Sequence, residues 1–406
     1  MMWELIQANK RKSIFIFIGM GLLLILIGYT FGSFYSPENG GLFGVFIALI
    51  LWGILSVISY FSGSQILLSV SGAKEIQKED HPQLYNVVEE MRIAANLPNM
   101  PKIYVIADPA PNAFATGIKP ENSAITVTAG LLGTVNRDEL QGVVAHEMSH
   151  IVNRDILLMT FAGIMLGAIV LMSEIFLRSL WFGGGSRYKS KSDRGGQGQI
   201  IIMIVALVLA ILAPIMAQLL YFAISRRREY LADASAARLT RYPEGLASAL
   251  EKISQSTYDL KTANKVTAPM YIVNPLKKKG MKLSDLTSTH PPITERIRIL
   301  RAMHQGADLK SYQFAFNEIK KKNISIIPPS GLMESTAAIP IISPALENKT
   351  IIEPANQKRE VGDLIMKMNN FRFIDCSCGL RIKIPPDYKG NTITCPRCGR
   401  VHDLSL

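Results

Sequence analysis

Four long apolar stretches interrupt an otherwise polar chain, and their lengths decide the class of protein. Residues 14–34 carry no charged side chain, and 42–61 form a run of 20 uncharged residues. Residues 156–182 are apolar apart from Glu174 and Arg178, and the pattern over 200–224 is broken only by Pro214 and Gln218. A bilayer core of roughly 30 Å needs about 20 helical residues. Each stretch is long enough to span it, whereas a helix buried in a soluble core is usually shorter. The first stretch is too long for the apolar part of a cleaved signal peptide, and the second follows at once. The pattern predicts two membrane hairpins, 1–61 and 156–224, with spans at 14–34, 42–61, 156–182 and 200–224.

The polar segments read differently. Residues 62–155 mix helix and strand. Apolar spacing at Leu84, Val87, Val88, Met91 and Ala94 predicts a helix over 81–97, ended by Pro98. Residues 102–106 and 124–127 read as short strands. A helix is expected over 137–152, with Asp138 and Glu139 in a first turn that favours negative charge. Residues 225–306 read as helical, and Pro292 with Glu295 opens the last helix. Pro, Ser and Asn accumulate over 323–363 without periodicity, so 307–370 is read as a linker. A small Cys-containing module, 371–406, closes the chain.

Composition sharpens this picture. Only 19% of the 406 residues are charged and 48% are hydrophobic, with mean hydropathy +0.20. A soluble globular chain carries about 25% charge, and so apolar a chain is not intrinsically disordered. Lys and Arg outnumber Asp and Glu by 44 to 32, a net charge of +12, which suits nucleic acid or the anionic cytoplasmic face of a bilayer. Lys10, Arg11 and Lys12 precede the first span, Arg226, Arg227 and Arg228 follow the fourth, and the loop 32–41 has no Lys or Arg. The positive-inside rule then places the N-terminus and both polar segments in the cytoplasm. Arg187, Lys189, Lys191 and Arg194 in the loop 183–199 run against it. Either the rule is overridden there, or the second hairpin does not fully cross.

The chemistry concentrates in His146-Glu147-Met148-Ser149-His150. On a helix His146 and His150 lie one turn apart on one face, so both imidazoles reach one ion while Glu147 addresses a water beside it. Two helical histidines without a metal would show the same spacing. A catalytic zinc needs a third protein ligand and an open position. Asn153 and Ile156 stand where a metzincin has Gly and His, and the motif lies outside the apolar spans. The remaining source is a carboxylate on a second helix, and Glu229 and Asp233 stand at i, i+4 just after the fourth span.

These residues carry a resemblance. Residues 144–150, then Asn153-Arg154-Asp155, then the run 225–233 resemble the HtpX group of the M48 family of membrane zinc metallopeptidases. Trp3-Glu4 with Asn9 to Lys12, the run 112–117, and Ser288-Thr289-His290-Pro291-Pro292 are similar too, so the likeness covers about 1–305. It implies a mainly α fold: a four-span helical membrane protein carrying a cytoplasmic α+β zincin-type metallopeptidase domain, in two parts (62–155 and 225–306). It implies zinc held by His146, His150 and Glu229, with Glu147 as general base and Asp233 orienting a histidine or donating a proton. Asn112, Ala113, Phe114 and Ala115 would pair with the substrate backbone, and His290 would help stabilise the oxyanion. The activity implied is a membrane-bound endopeptidase of protein quality control in the cell (inner) membrane. Its substrates would be polypeptides, misfolded membrane segments among them.

The C-terminal module lies outside that resemblance. Cys376 and Cys378, then Cys395 and Cys398, are two close thiol pairs, and four thiolates close a tetrahedral structural zinc. A β zinc ribbon with a second Zn2+ is expected, with His402 as a substitute ligand. Arg372, Arg381, Lys383, Lys389, Arg397 and Arg400 make it basic, so a protein, phospholipid or nucleic-acid partner is expected, with substrate recruitment favoured. Two other functions fit parts of the pattern: a prenyl-protein processing peptidase, and a membrane adaptor with a vestigial site.

Overall fold

The computed structural model describes residues 3–36, 38–183, 196–263, 267–275, 291–333, 339–342 and 354–404. Helices α1 (Trp3–Tyr35) and α2 (Gly40–Val70) form the first hairpin. Without a hydrophobic drive between helices in lipid, close association relies on small residues. Gly28 and Gly44 meet so closely that a Cβ on either would press on the other's carbonyl. Outward side chains such as Phe15, Leu42 and Phe61 are large, apolar and exposed, as a lipid-facing surface requires.

Next come β1 (Ala73–Glu75), α3 (Pro82–Ala94), β2 (Lys102–Ile106), β3 (Ala113–Gly117), β4 (Ser123–Thr128), α4 (Ala129–Leu132) and α5 (Arg137–Val152). The four strands make one sheet in the order β1-β2-β4-β3, with β2 and β4 parallel and both outer pairs antiparallel. Leu84, Val87, Val88 and Met91 of α3 pack with Val143, Val144 and Met148 of α5 on Ile103, Val105, Ile125 and Val127 of the sheet. The polar helix α5 starts from a reciprocal capping box between Asn136 and Glu139, which satisfies two otherwise orphaned backbone donors.

Helices α6 (Asp155–Gly183) and α7 (Gly196–Thr240) form the second hairpin. Among the described residues four helices are thus long and apolar enough to cross a membrane: Ser13–Tyr35, Gly40–Val70, Asp155–Ser179 and Ile200–Ala217. Met20, Leu24 and Ile27 of α1 pack on Met165, Leu166 and Ile169 of α6 and on Ala213 and Ala217 of α7. Helix α7 has 45 residues, roughly 68 Å at 1.5 Å per residue, more than twice a bilayer core. It runs unbroken from the last span into the peptidase core, where Tyr230, Leu231 and Ala234 are buried. Glu174 and Arg178 lie exposed on α6 rather than inside the bundle.

The remaining elements are α8 (Pro243–Gln255), α9 (Ile293–Arg301), α10 (Leu309–Lys320), α11 (Pro329–Met333), α12 (Pro354–Met368) and four strands, β5 (Arg372–Asp375), β6 (Arg381–Ile384), β7 (Thr392–Thr394) and β8 (Val401–Asp403). The linker expected over 307–370 is corrected over much of its length. Leu309, Tyr312 and Phe316 of α10 enter the main core, as do Val361 and Leu364 of α12. Gln357 donates to the carbonyls of Leu132 and Val135. Val361, Leu364, Ile365 and Met368 of α12 recur at i, i+3, i+4 and i+7, a helical apolar stripe that the Pro-, Ser- and Asn-rich stretch before it masks. Strands β5–β6 and β7–β8 are two antiparallel hairpins. Asp363 of α12 bonds Lys383 at 2.8 Å, tying this module to the helix before it.

Candidate metal centre and active site

Helix α5 presents both histidines to the same point. Their Nε2 atoms are 3.3 Å apart, and the rings meet edge to face. From α7, Glu229 brings Oε2 to 3.5 Å from Nε2 of His146 and Oε1 to 3.5 Å from Nε2 of His150. One ligand atom from each of the three lies within 4.8 Å of the others. Each histidine is held from behind. Nδ1 of His146 is 3.0 Å from Asp233 Oδ1, and Nδ1 of His150 is 3.2 Å from Asp155 Oδ2. A carboxylate at Nδ1 fixes the proton there, so both Nε2 lone pairs point inward at each other. Such an arrangement fits a cation between them.

The charge balance points the same way. His146, Glu147, His150, Glu229, Asp233 and Arg296 are each 0–3% exposed, so this polar cluster is shut off from solvent. Neither oxygen of Glu147 has a hydrogen-bond partner among the described residues, and burial raises its pKa. A buried carboxylate without a partner is costly and is better explained as a reacting group than as a structural one. Burial alone would push His146 down, but hydrogen bonds to Asp233 and Glu229 hold its pKa at about 9. Burial pushes Asp233 up, yet the Arg296 guanidinium outweighs this and the net shift is downward.

Arg296 was not singled out in the sequence, yet it stands at the centre of the site. Its Nε and Nη2 donate to Asp233 at 2.8 and 2.7 Å, and Nη1 donates to the Ile272 carbonyl at 3.1 Å. Nη1 is also 3.5 Å from Glu229 Oε2. A signal existed: Arg296 falls on the same stripe of α9 as Ile293, Ile297 and Leu300, where a charge is out of place. Asp155 also had no assigned role. It opens α6 after Arg154, whose φ is +61°, and Arg228 Nε lies 3.4 Å from it.

The proposed substrate edge is β3, the last strand of the sheet. Here the chain bonds to it itself. Ile272 N–H donates to the Ala113 carbonyl at 2.9 Å. Asn112 Nδ2 donates to the Val273 carbonyl at 2.8 Å, and its Oδ1 accepts from the amides of Ala113 and Val273. At the far end Thr160 Oγ1 donates to the Gly117 carbonyl at 3.1 Å. Phe114 packs edge-on against Tyr271, while Ala113 and Ala115 join the main core. His290 lies outside the described residues.

A second cluster lies in the C-terminal module. Cys376, Cys378, Cys395 and Cys398 converge, with Sγ–Sγ distances of 3.4 Å (376–398) and 3.6 Å (378–395). Every thiol is free. Each pair sits in the turn of one hairpin, a donor set that fits a tetrahedral, closed metal site.

The model of peptidase family M48 matches residues 78–304. A protease HtpX homolog of Dictyoglomus thermophilum is 50% identical over 301 residues, covering 74% of this chain and 94% of that protein. Those of Caldanaerobacter subterraneus subsp. tengcongensis and Streptococcus gordonii are 45% and 42% identical over 303 residues each. Among solved structures, that of S. mikatae Ste24p aligns at 23% identity with a TM-score of 0.36, covering 73% of this chain and 65% of that one, just under two thirds of its length. With four apolar helices, a His-His-Glu cluster and these HtpX homologs, the chain belongs to peptidase family M48, as a multi-pass membrane metalloprotease of the HtpX kind.

Proposed function

We propose that the chain is a zinc-dependent endopeptidase that cleaves misfolded membrane proteins at the cytoplasmic face of a cell (inner) membrane. The observation that carries this reading is the meeting of His146, His150 and Glu229 beside a buried, unpartnered Glu147. Two imidazoles and one carboxylate are a donor set suited to a catalytic zinc with an open position. When bound, the ion supplies a Lewis acid that acidifies a coordinated water and polarises the scissile carbonyl.

The chain's own residues do the rest. Glu147 takes the proton of the attacking water and delivers it to the leaving amine. Its burial raises its pKa toward the working range. Asp233 and Asp155 keep the Nδ1 protons of His146 and His150 in place, so that Nε2 faces the ion. Arg296 keeps Asp233 ionised. An extended substrate adds to β3 through Asn112, Ala113 and Ala115 by main-chain pairing, with His290 as oxyanion donor. The segment around Ile272 and Val273 yields the bonds it makes to Asn112 and Ala113. Weak sequence specificity follows, because main-chain bonds carry much of the affinity.

Basic flanks at Lys10 to Lys12 and Arg226 to Arg228 support the cytoplasmic side. Both α5, through α6, and α7 connect the site directly to spans, which favours substrates emerging from the bilayer. The Cys cluster holds a second, structural zinc, and the ribbon recruits a substrate or partner. Cleavage of an unfolded polypeptide by the reconstituted full chain tests the chemistry. Activity should vanish with chelator and with Glu147→Ala. Full activity in that variant would end this reading.

A further inference from the structure

Beyond residue 304, where the family match ends, the chain adds α10 and the irregular segment after it. This addition has a defined height relative to the bilayer. Along α1 and α6, Phe17 meets Phe161, Phe31 stacks on Phe176, and Tyr35 bonds Ser179, so the two helices rise in step. The apolar part of α1 starts at Ser13, which is level with the start of α6. Helix α7 runs the opposite way, with Ala206 and Ala210 beside Phe176. At 1.5 Å per residue it reaches the level of Ser13 near Arg227. Arg227 is therefore level with the start of the apolar part of α1 and follows the apolar run of α7.

The addition is fastened at that level. Arg227 Nη2 donates to the Ser325 carbonyl at 2.9 Å and to that of Ile326 at 3.2 Å. Gln313 Nε2 donates to the Ile324 carbonyl at 2.8 Å, bringing α10 alongside. Ile326 and Ile327 are buried, but the preceding residues turn outward. Lys321, Lys322 and Asn323 are exposed, Ile324 is 50% exposed, and Phe314 on the outer face of α10 is 54% exposed. Two large exposed apolar side chains and two exposed lysines, on α10 and the segment that Gln313 ties back to it, are a poor solvated surface and a good interfacial one. Apolar groups sink to the acyl boundary there while cationic groups meet anionic headgroups.

We propose that Phe314, Lys321, Lys322 and Ile324 form a membrane-contact shelf that seats the peptidase domain on the anionic headgroup layer of its own bilayer. The occupant is lipid, because Arg227 ties the patch to α7 at the level where the apolar part of α1 starts and its two lysines complement the anionic leaflet, a side that rests on the proposed function. The shelf holds α10, which contacts α7 and α9, the helices carrying Glu229, Asp233 and Arg296. Its contact with lipid does not depend on the bound metal or on the substrate.

The test uses the full chain in lipid nanodiscs. An Ile324→Cys variant is labelled with an environment-sensitive fluorophore, with the unsubstituted chain labelled in parallel to subtract the native cysteines. The expected result is emission shifted to the blue, quenched by lipids bearing a shallow nitroxide and shielded from aqueous iodide. The effect should be larger in anionic than in zwitterionic bilayers. Lys321→Glu combined with Lys322→Glu should abolish the anionic preference, by at least about fivefold per lysine, since each change both removes a cation and adds an anion. A label quenched by iodide and untouched by nitroxide lipid in both bilayers overturns the shelf. So does a lipid contact indifferent to both lipid charge and the double reversal. A label shielded only when a protein is added assigns the surface to that protein instead and equally overturns it.

Discussion

Replacing Arg296 by Met removes the guanidinium that the structure places against Asp233 while keeping much of the apolar stem. In the native site Asp233 is fully buried and takes two charged hydrogen bonds, at 2.7 and 2.8 Å, from Arg296. The variant leaves that carboxylate against His146 alone, and removing one partner of a buried ion pair costs about 3–5 kcal/mol. For a domain of this size each kcal/mol shifts Tm by roughly 2–4 °C, so a fall of about 6–20 °C is expected. Near-UV circular dichroism of the full chain in detergent micelles follows it. Adding Asp233→Asn to the variant should recover part of the loss, because the two effects couple. The sign with pH is fixed as well. Arg296 depresses the Asp233 pKa in the folded state, so its contribution is present above the unfolded value of about 3.9. It is lost as pH falls through the lower folded value. The gap between native and variant chains is thus widest at neutral pH and closes on strong acidification. A variant melting within about 2 °C of the native chain, or one blind to Asp233→Asn, refutes the account.

Three further outcomes are expected. His146 is held at about 9 in the ion-free site, and a metal ligand must lose its proton. Loading zinc at neutral pH should therefore release protons, and affinity should rise with pH up to that value; calorimetry in two buffers of different ionisation enthalpy reads this, and heat independent of buffer contradicts it. Cys395→Ser should remove the metal held by the Cys cluster while the His-His-Glu cluster keeps its own, as metal analysis per chain shows; an unchanged metal content rules the Cys cluster out as a site. Gly44→Leu would drive a side chain into the Gly28 carbonyl and should destabilise the first hairpin by about 1–3 kcal/mol, visible as earlier thermal aggregation of the solubilised chain; unaltered stability shows that the close α1–α2 packing is not needed.

What the residues dictated locally was legible in order. Long uncharged runs can satisfy their backbone groups in lipid only as helices, so the spans were readable before any contact was known. The strands read at 102–106 and 124–127 and the helix read at 137–152 follow from short-range periodicity and first-turn charge. His146 and His150 lie one helical turn apart, so their shared face, with Glu147 beside it, needs no tertiary information. Glu229 was within reach because it follows a span and shares a helix face with Asp233.

The rest depended on chain segments far apart meeting in space. Arg296 lies 63 residues from Asp233 and 150 from His146, and nothing local says which buried carboxylate its guanidinium neutralises. The occupation of β3 by Ile272 and Val273 was equally hidden; α10 and α12 carry local apolar stripes, and only what those stripes pack on was hidden. Sequence pattern reports what a residue's neighbours along the chain require. Pairing of a buried charge, cover of a sheet edge and burial of a weakly apolar helix are set by partners that only the packed chain supplies.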